Sequence, residues 1–247
     1  MSSRIVVLVF ALCIASTVLA GPPYFTDDPE PVEPHHWEFY VASQDILEQH
    51  SKTGTAPHVE INYGAHEDLQ LHLITSFEYN SPGSEAPSHY GLGDEELGIK
   101  YRFVHETDSL PQIGVFPLVE LPSGNKNLGL GNGKTQVFLP LWFQKSFGKW
   151  TTYGGGGFWI NPGKDNRNYG YMGWQAQRKI IDSLSIGTEV FHITQSTRNR
   201  LEDSRHTGFN IGGVFDISEQ HHILFSGGRD ILGTRKFTGY LGYQITY

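Results

Sequence analysis

The sequence predicts an all-β protein, a transmembrane antiparallel β-barrel of about twelve strands. Three observations lead to this fold class. Apolar and polar residues alternate in about twelve segments, the connections between the segments alternate between long and short, and aromatic residues lie near the segment ends. These segments cover more than half of the chain beyond residue 20. Such strand content is unusual for a soluble domain but necessary for a barrel that crosses a membrane.

Residues 1–20 predict a cleaved signal peptide rather than a part of the fold. Arg4 precedes an apolar run over residues 5–15, and Val18-Leu19-Ala20 supplies the small residues of a cleavage site before Gly21. The run is shorter than the roughly 20 residues that a membrane-spanning helix needs. We therefore expect an exported protein without cysteine, because cleavage removes the single Cys13.

Residues 21–34 form a proline-rich, acidic segment. Its five prolines disfavour helix and favour an extended chain, and three acidic residues lie close together at Asp27, Asp28 and Glu30. Two interpretations fit this composition equally well. The segment either folds into the periplasmic mouth of the barrel as a plug, or it is a flexible, solvated lead.

Residues 35–247 predict the barrel itself. The clearest strand covers Asp68–Tyr79, where Leu69, Leu71 and Leu73 share one face and Gln70 and His72 share the other. The predicted strands are 35–46, 57–65, 68–79, 93–105, 111–121, 135–147, 150–161, 169–180, 183–194, 206–217, 221–229 and 236–247. The longer connections, which an outer-membrane barrel places outside the cell, are 47–56, 80–92, 122–134, 162–168, 195–205 and 230–235.

The strand parity predicts a lumen lined by charges of both signs. The candidate lumen-lining residues are Glu38, Glu60, Glu78, Glu96, Lys100, Arg102, Glu120, Lys179, Glu189, Asp216 and Lys236. They predict either a polar channel with local selectivity or interior ion pairing that closes a narrow barrel.

The final segment, 237–247, resembles the terminal strand of bacterial outer-membrane barrels. Apolar residues alternate with polar ones, and the chain ends on Tyr243, Ile245 and Tyr247. The resemblance implies that these residues are an assembly signal for the outer-membrane insertion machinery. The expected partners are this machinery, the lipid bilayer and a small-molecule solute.

The chemical motifs are weak, and we expect neither catalytic residues nor a cofactor or metal. Residues 129–135 approach a phosphate-binding loop, but Leu128 stands where its first glycine belongs, and a predicted strand follows instead of a helix. Neither adjacent histidine pair has metal-ligand spacing, and His192, Ser196 and Asn199 have no spacing typical of a hydrolase. A net charge of −8 argues against nucleic acid as a partner.

Residues 21–40, GPPYFTDDPEPVEPHHWEFY, resemble the opening of a bacterial family of outer-membrane, transporter-like proteins assigned to the meta-cleavage pathway of phenol degradation. The resemblance implies a bacterial outer-membrane barrel that passes small solutes, with aromatic or apolar compounds as candidates. Two alternatives stay open: a structural or adhesive barrel with a plugged lumen, and a barrel enzyme that acts on lipid.

Overall fold

The computed structural model describes residues 22–83, 86–198 and 204–247. The predicted signal peptide lies outside the described residues, so its cleavage stays a prediction. Fourteen strand segments follow one another along the chain. They are β1 (Trp37–Leu47), β2 (Lys52–His66), β3 (Leu69–Ser81), β4 (His89–Leu92), β5 (Glu95–Val104), β6 (Gln112–Val115), β7 (Leu118–Leu121), β8 (Gln136–Phe147), β9 (Trp150–Ile160), β10 (Tyr169–Ile181), β11 (Leu184–Ile193), β12 (His206–Asp216), β13 (His221–Leu232) and β14 (Phe237–Thr246).

These segments form one closed barrel of twelve antiparallel strands, as the sequence predicts. Segments β4 and β5 both pair with β3 and make up one interrupted strand. Segments β6 and β7 both pair with β5 and β8 and make up the next. The barrel closes where β1 pairs with β14, from Glu38 opposite Thr246 to Leu47 opposite Phe237.

The two ends of the barrel differ in their connections. The start of β1, the end of β14 and the short connections 67–68, 148–149 and 182–183 lie at one end, which we call the periplasmic end. The connections at the opposite, outer end include 122–135, which contains a single turn of 3-10 helix at Lys126–Leu128. None of the helices in the described residues is long and apolar enough to cross a membrane.

The barrel wall is apolar outside and polar inside. On the outward face, Leu71, Ile99 and Val190 are 45%, 48% and 46% exposed. On the inward face, polar residues such as Gln70 and His72 are buried. This distribution is the reverse of that in a soluble protein, and it suits a wall whose outer surface contacts lipid. In lipid, only a helix or a closed barrel provides hydrogen bonds to every backbone N–H and C=O group.

The first outer connection is shorter than the sequence predicts. The sequence predicts a loop over 47–56, whereas β2 begins at Lys52 and pairs with β1 as far as Leu47. Its pairing with β3 is interrupted between Thr55 and His58. Proline cannot donate to a strand ladder and is tolerated at such irregularities, so Pro57 interrupts a strand that continues on both sides of it.

Candidate functional site

Residues 22–34, which we call the inserted segment, lie inside the barrel. Tyr24, Thr26, Asp27 and Val32 are all nearly inaccessible to solvent, with exposures of 3%, 0%, 3% and 7%. The segment is joined to the wall at the periplasmic end, where the backbone N–H of His35 donates to the carbonyl of Gly64 at 2.6 Å. From there it fills a large part of the space that a solute would need.

Three of the four acidic residues of the inserted segment contact the wall through polar groups. The ammonium of Lys100 lies 2.9 Å from Asp27 Oδ1 and 3.5 Å from Asp28 Oδ1. Glu30 Oε2 accepts hydrogen bonds from Gln112 Nε2 at 3.1 Å and from Gln144 Nε2 at 2.6 Å. Buried charges are tolerated where they are paired and hydrogen-bonded, so these contacts hold the segment in a specific position.

Glu189 anchors the backbone of the inserted segment from the opposite wall. Its two carboxylate oxygens accept hydrogen bonds from the backbone N–H groups of Phe25, at 3.2 Å, and Thr26, at 2.5 Å. Asn210 Nδ2 also donates to Glu189, at 2.8 Å. The ring of Phe25 stacks on that of Phe191 at 4.4 Å between centroids. The sequence indicates that Glu189 points inward but not that it accepts from the inserted segment.

Four glycines of the inward face make room for the inserted segment, and two show this most clearly. A Cβ on Gly173 would lie 2.1 Å from Thr26 Oγ1, and one on Gly64 would lie 2.0 Å from the carbonyl oxygen of Glu33. Any larger residue would displace the segment. Small residues at inward positions are the sequence signal that would have favoured the plug over the flexible lead.

The predicted lumen-lining residues divide into three groups by position. Two of them lie at the rims of the barrel: Lys179 is exposed at the periplasmic end, and Lys236 precedes β14 at the outer end, 2.9 Å from Glu48. Lys179 shares the inward parity of β10, but it lies beyond the point where the lumen encloses side chains.

Two other predicted lumen-lining residues lie inward near the periplasmic end, where Arg102 contacts Asp68 at 3.0 Å and Asp216 contacts His222 at 2.7 Å. The remaining seven lie within the lumen: Glu38, Glu60, Glu78, Glu96, Lys100, Glu120 and Glu189.

The two sides of the lumen differ in chemistry. One side carries a cluster of buried, mainly aromatic side chains. Its members are Phe25, Phe116, Leu118, Phe138, Trp142, Trp159, Tyr169, Tyr171, Phe191 and Ile193. The other side, on β1 to β5, is rich in acids, and there Glu60 and Glu96 contact His72 at 3.6 Å and 3.1 Å. The lumen is therefore polar on one side and aromatic on the other.

A cavity of about 70 Å³, which we call the acidic chamber, lies on the outer side of the inserted segment. Four acids line it: Glu78, Asp94, Glu96 and Glu120. Glu120 interacts electrostatically with the other three and accepts a hydrogen bond from Gln136 Nε2 at 2.7 Å. A liquid water molecule occupies about 30 Å³, so the chamber has room for a small solute.

The outer connection 122–135, which we call the cap loop, folds back over the acidic chamber. Asp94 Oδ1 accepts from the backbone N–H of Gly124 at 2.8 Å, and its Oδ2 accepts from that of Asn132 at 2.6 Å. Leu130 is 2% exposed, and Gly129 lines the chamber. Residues 129–135, which approach a phosphate-binding loop in sequence, therefore belong to the cap loop. Because the strand β8 follows them, they do not lead into a helix whose N-terminus could bind a phosphate.

The remaining candidate motifs do not assemble into a reactive site. His192 Nδ1 lies 2.9 Å from Thr207 Oγ1, and Ser196 Oγ donates to Ser204 instead, while Asn199 lies outside the described residues. Among the described residues, one group of three brings possible metal-ligand atoms within 4.8 Å of one another, and it is the connection His66-Glu67-Asp68. There Asp68 is already paired with Arg102 and His105, each at 3.0 Å.

The predicted assembly signal lies on β14 and at the seam. Tyr243 is 39% exposed, with its hydroxyl 2.8 Å from His221 Nδ1, and Tyr247 is 63% exposed. The backbone of Tyr247 exchanges hydrogen bonds of 2.7 and 2.9 Å with Trp37 across the seam. Tyr243 and Ile245 share the outward parity of this strand.

Comparison with solved structures supports the fold. The chain is similar to the COG4313 outer membrane channel from Pseudomonas putida F1, with 16% identity, a TM-score of 0.74, and coverage of 89% of this chain and 98% of that one. It is also similar to the KdgM porin, with 10% identity, a TM-score of 0.56, and coverage of 84% and 99%. The translocator domain of the autotransporter NalP from Neisseria meningitidis gives 10% identity, a TM-score of 0.56, and coverage of 89% and 90%. No family model and no curated protein matches the chain.

Proposed function

We propose that this chain is a channel of the bacterial outer membrane that admits small solutes and that the inserted segment is its plug. One observation carries the proposal: a lumen with a polar side runs inside a barrel whose outer surface is apolar, and the segment that fills the lumen is held by side-chain contacts rather than by strand pairing. Contacts of this kind can be exchanged for water when the segment moves. The structural likeness to outer-membrane channels and porins agrees with this proposal.

The solute class follows from the two sides of the lumen. The resemblance of residues 21–40 to proteins of phenol degradation favours aromatic or apolar solutes. The aromatic cluster on one side of the lumen gives such solutes a matching surface. The opposite side offers carboxylates, so a solute with an apolar body and a polar group would contact both.

A current measurement across a planar lipid bilayer tests the proposal. The mature chain, residues 21–247, is compared with a variant that lacks residues 22–34, after both have been shown to migrate as folded barrels without heating. We expect small current steps for the complete chain and larger steps for the deletion variant. Two silent, folded barrels would exclude the channel.

The second candidate is a structural or adhesive barrel, and the filled lumen favours it. Thr26 and Glu189 are almost completely buried, so the plug is packed like a protein core. This role predicts a silent barrel with and without residues 22–34. A lipid-acting enzyme finds no support in the contacts of His192 and Ser196, and we propose that the protein is not an enzyme.

A further inference from the structure

Most of the charged or readily ionised side chains that line the acidic chamber are carboxylates. Among the residues that line it are Glu78, Asp94, Glu96 and Glu120, while His58 is its one basic side chain and neither lysine nor arginine contributes. Lys100, which lies within the lumen, is already paired with Asp27 and Asp28. The chamber lining therefore contains more acidic than basic side chains.

One carboxylate oxygen of the chamber has no partner. Glu96 is 3% exposed, and its Oε1 lies 3.1 Å from His72 Nε2. Its Oε2 is buried and has no hydrogen-bond partner among the described residues. A buried acceptor without a donor is unfavourable by about 1–3 kcal/mol, and more when it is charged. An unpartnered oxygen at a cavity wall is thus a position where a ligand can donate.

The arrangement of the acids favours a monovalent ammonium over a chelated metal ion. Among the described residues, the acids of the chamber do not bring three ligand atoms within 4.8 Å of one another. Calcium and magnesium need several oxygens at about 2.0 to 2.6 Å. An ammonium group instead satisfies separated acceptors through N–H donors and is stabilised by the summed field of the carboxylates.

We propose that the acidic chamber binds small ammonium cations and makes the channel select cationic over anionic solutes. Glu96 Oε2 accepts a hydrogen bond from the ammonium, and Glu78 and Glu120 supply the surrounding negative potential. Ile46, Ile74 and Tyr79 also line the chamber and would contact the apolar part of an organic cation. This inference rests on the proposed channel function and names the charge of its solutes.

Binding and current are measured on the same folded barrel, with methylammonium chloride as the probe and sodium acetate as the anionic comparison. The variant is Glu96→Gln combined with Glu120→Gln, and the control is Glu219→Gln in the exposed connection 217–220. Calorimetry in detergent gives the affinity, and the reversal potential in a methylammonium chloride gradient gives the selectivity. Glu78→Gln serves as a second variant if the double variant does not fold.

We expect the unaltered barrel to bind methylammonium and not acetate, and its reversal potential to show cation selectivity. Removing the charges should weaken methylammonium binding about tenfold or more, while the control keeps the original affinity. Absence of methylammonium binding, or equal affinity in the charge variants, would overturn the inference, because the acids would then be protonated or paired among themselves.

The two proposals fail in different ways. If the barrel conducts without cation preference and does not bind methylammonium, the proposed channel function stands and the proposed ammonium site is excluded. If the barrel carries no current but binds methylammonium, and the charge variant does not bind it, the proposed ammonium site stands and the proposed channel function is excluded.

Discussion

The ammonium of Lys100 lies 2.9 Å from Oδ1 of Asp27, and both side chains are more than nine-tenths buried. This ion pair joins the wall of the barrel to a segment that lies 73 residues earlier in the chain. It is one of the contacts that hold the inserted segment against the wall of the barrel.

Replacing Asp27 by asparagine should loosen the inserted segment. Breaking a buried ion pair is unfavourable by about 3–5 kcal/mol, and we expect a smaller effect of about 2 kcal/mol, because Asp28 lies 3.5 Å from the same ammonium. Larger or more frequent current steps in a planar bilayer would show this. Asp108→Asn, in the exposed connection 105–111, is the matched control. Unchanged current in Asp27→Asn would mean that the segment does not depend on Lys100.

Replacing Gly173 by alanine should push the inserted segment away from the wall. The new Cβ would lie 2.1 Å from Thr26 Oγ1, and overpacking of this kind is unfavourable by about 1–3 kcal/mol. Limited proteolysis of the folded barrel checks the result, because a displaced segment is cut between residues 22 and 34. In Gly239→Ala, where the nearest atom to the new Cβ is 4.0 Å away, the segment should stay protected. Equal protection in both variants would contradict the close fit.

Acid should weaken the periplasmic connection around Asp68. Partial burial raises the pKa of this carboxyl, but hydrogen bonds from Arg102 and His105 outweigh it, and the pKa of Asp68 is lowered. A lowered pKa in the folded state adds stability at pH values above the unfolded pKa of about 3.9, and that stability is lost as the pH falls through the folded pKa. We expect a loss below about 1 kcal/mol between pH 4 and pH 2, because the pair is partly exposed.

Urea unfolding in detergent over this pH range measures the effect, with Asp68→Asn as the comparison. The substituted barrel should be less stable than the original at pH 6 and should approach it at pH 2. If the two barrels keep a constant difference at every pH, Asp68 does not carry this dependence.

Changing Tyr247 to serine should impair assembly in cells without impairing the folded barrel. The ring is 63% exposed, and the contacts of this residue across the seam use its backbone. We expect several-fold less folded protein in the outer membrane and an unchanged urea midpoint after refolding from the purified chain. A lowered midpoint in the refolded protein would show that the ring stabilises the barrel instead of acting as an assembly signal.

The fold could be predicted because lipid and lumen impose opposite demands on neighbouring residues. Every second residue of a strand such as Leu69–Ser81 faces lipid, so the period of two is visible along the whole chain. Composition is a poor guide where a strand contains turn-forming residues. Thr53-Gly54-Thr55 reads as a loop, yet it pairs with Gln44, Asp45 and Ile46.

The site could be predicted in part. Parity along each strand indicates that Glu96 and Glu189 point inward, but it does not indicate their height in the barrel or their partners. Glu189 accepts hydrogen bonds from residues 163 and 164 positions away, and no local pattern encodes such a contact. For the same reason the plug and the flexible lead were equally compatible with residues 21–34.

The position of the inserted segment limits how the protein can be handled in the laboratory. Pro22, where the described chain begins, lines a small cavity together with Gln44 and Tyr240 inside the barrel. An affinity tag or fluorophore fused ahead of this residue would have to occupy the lumen or pull the segment out of it. Labels for purification, imaging or surface attachment therefore belong on an outer connection such as 233–236, where they leave the resting conformation intact.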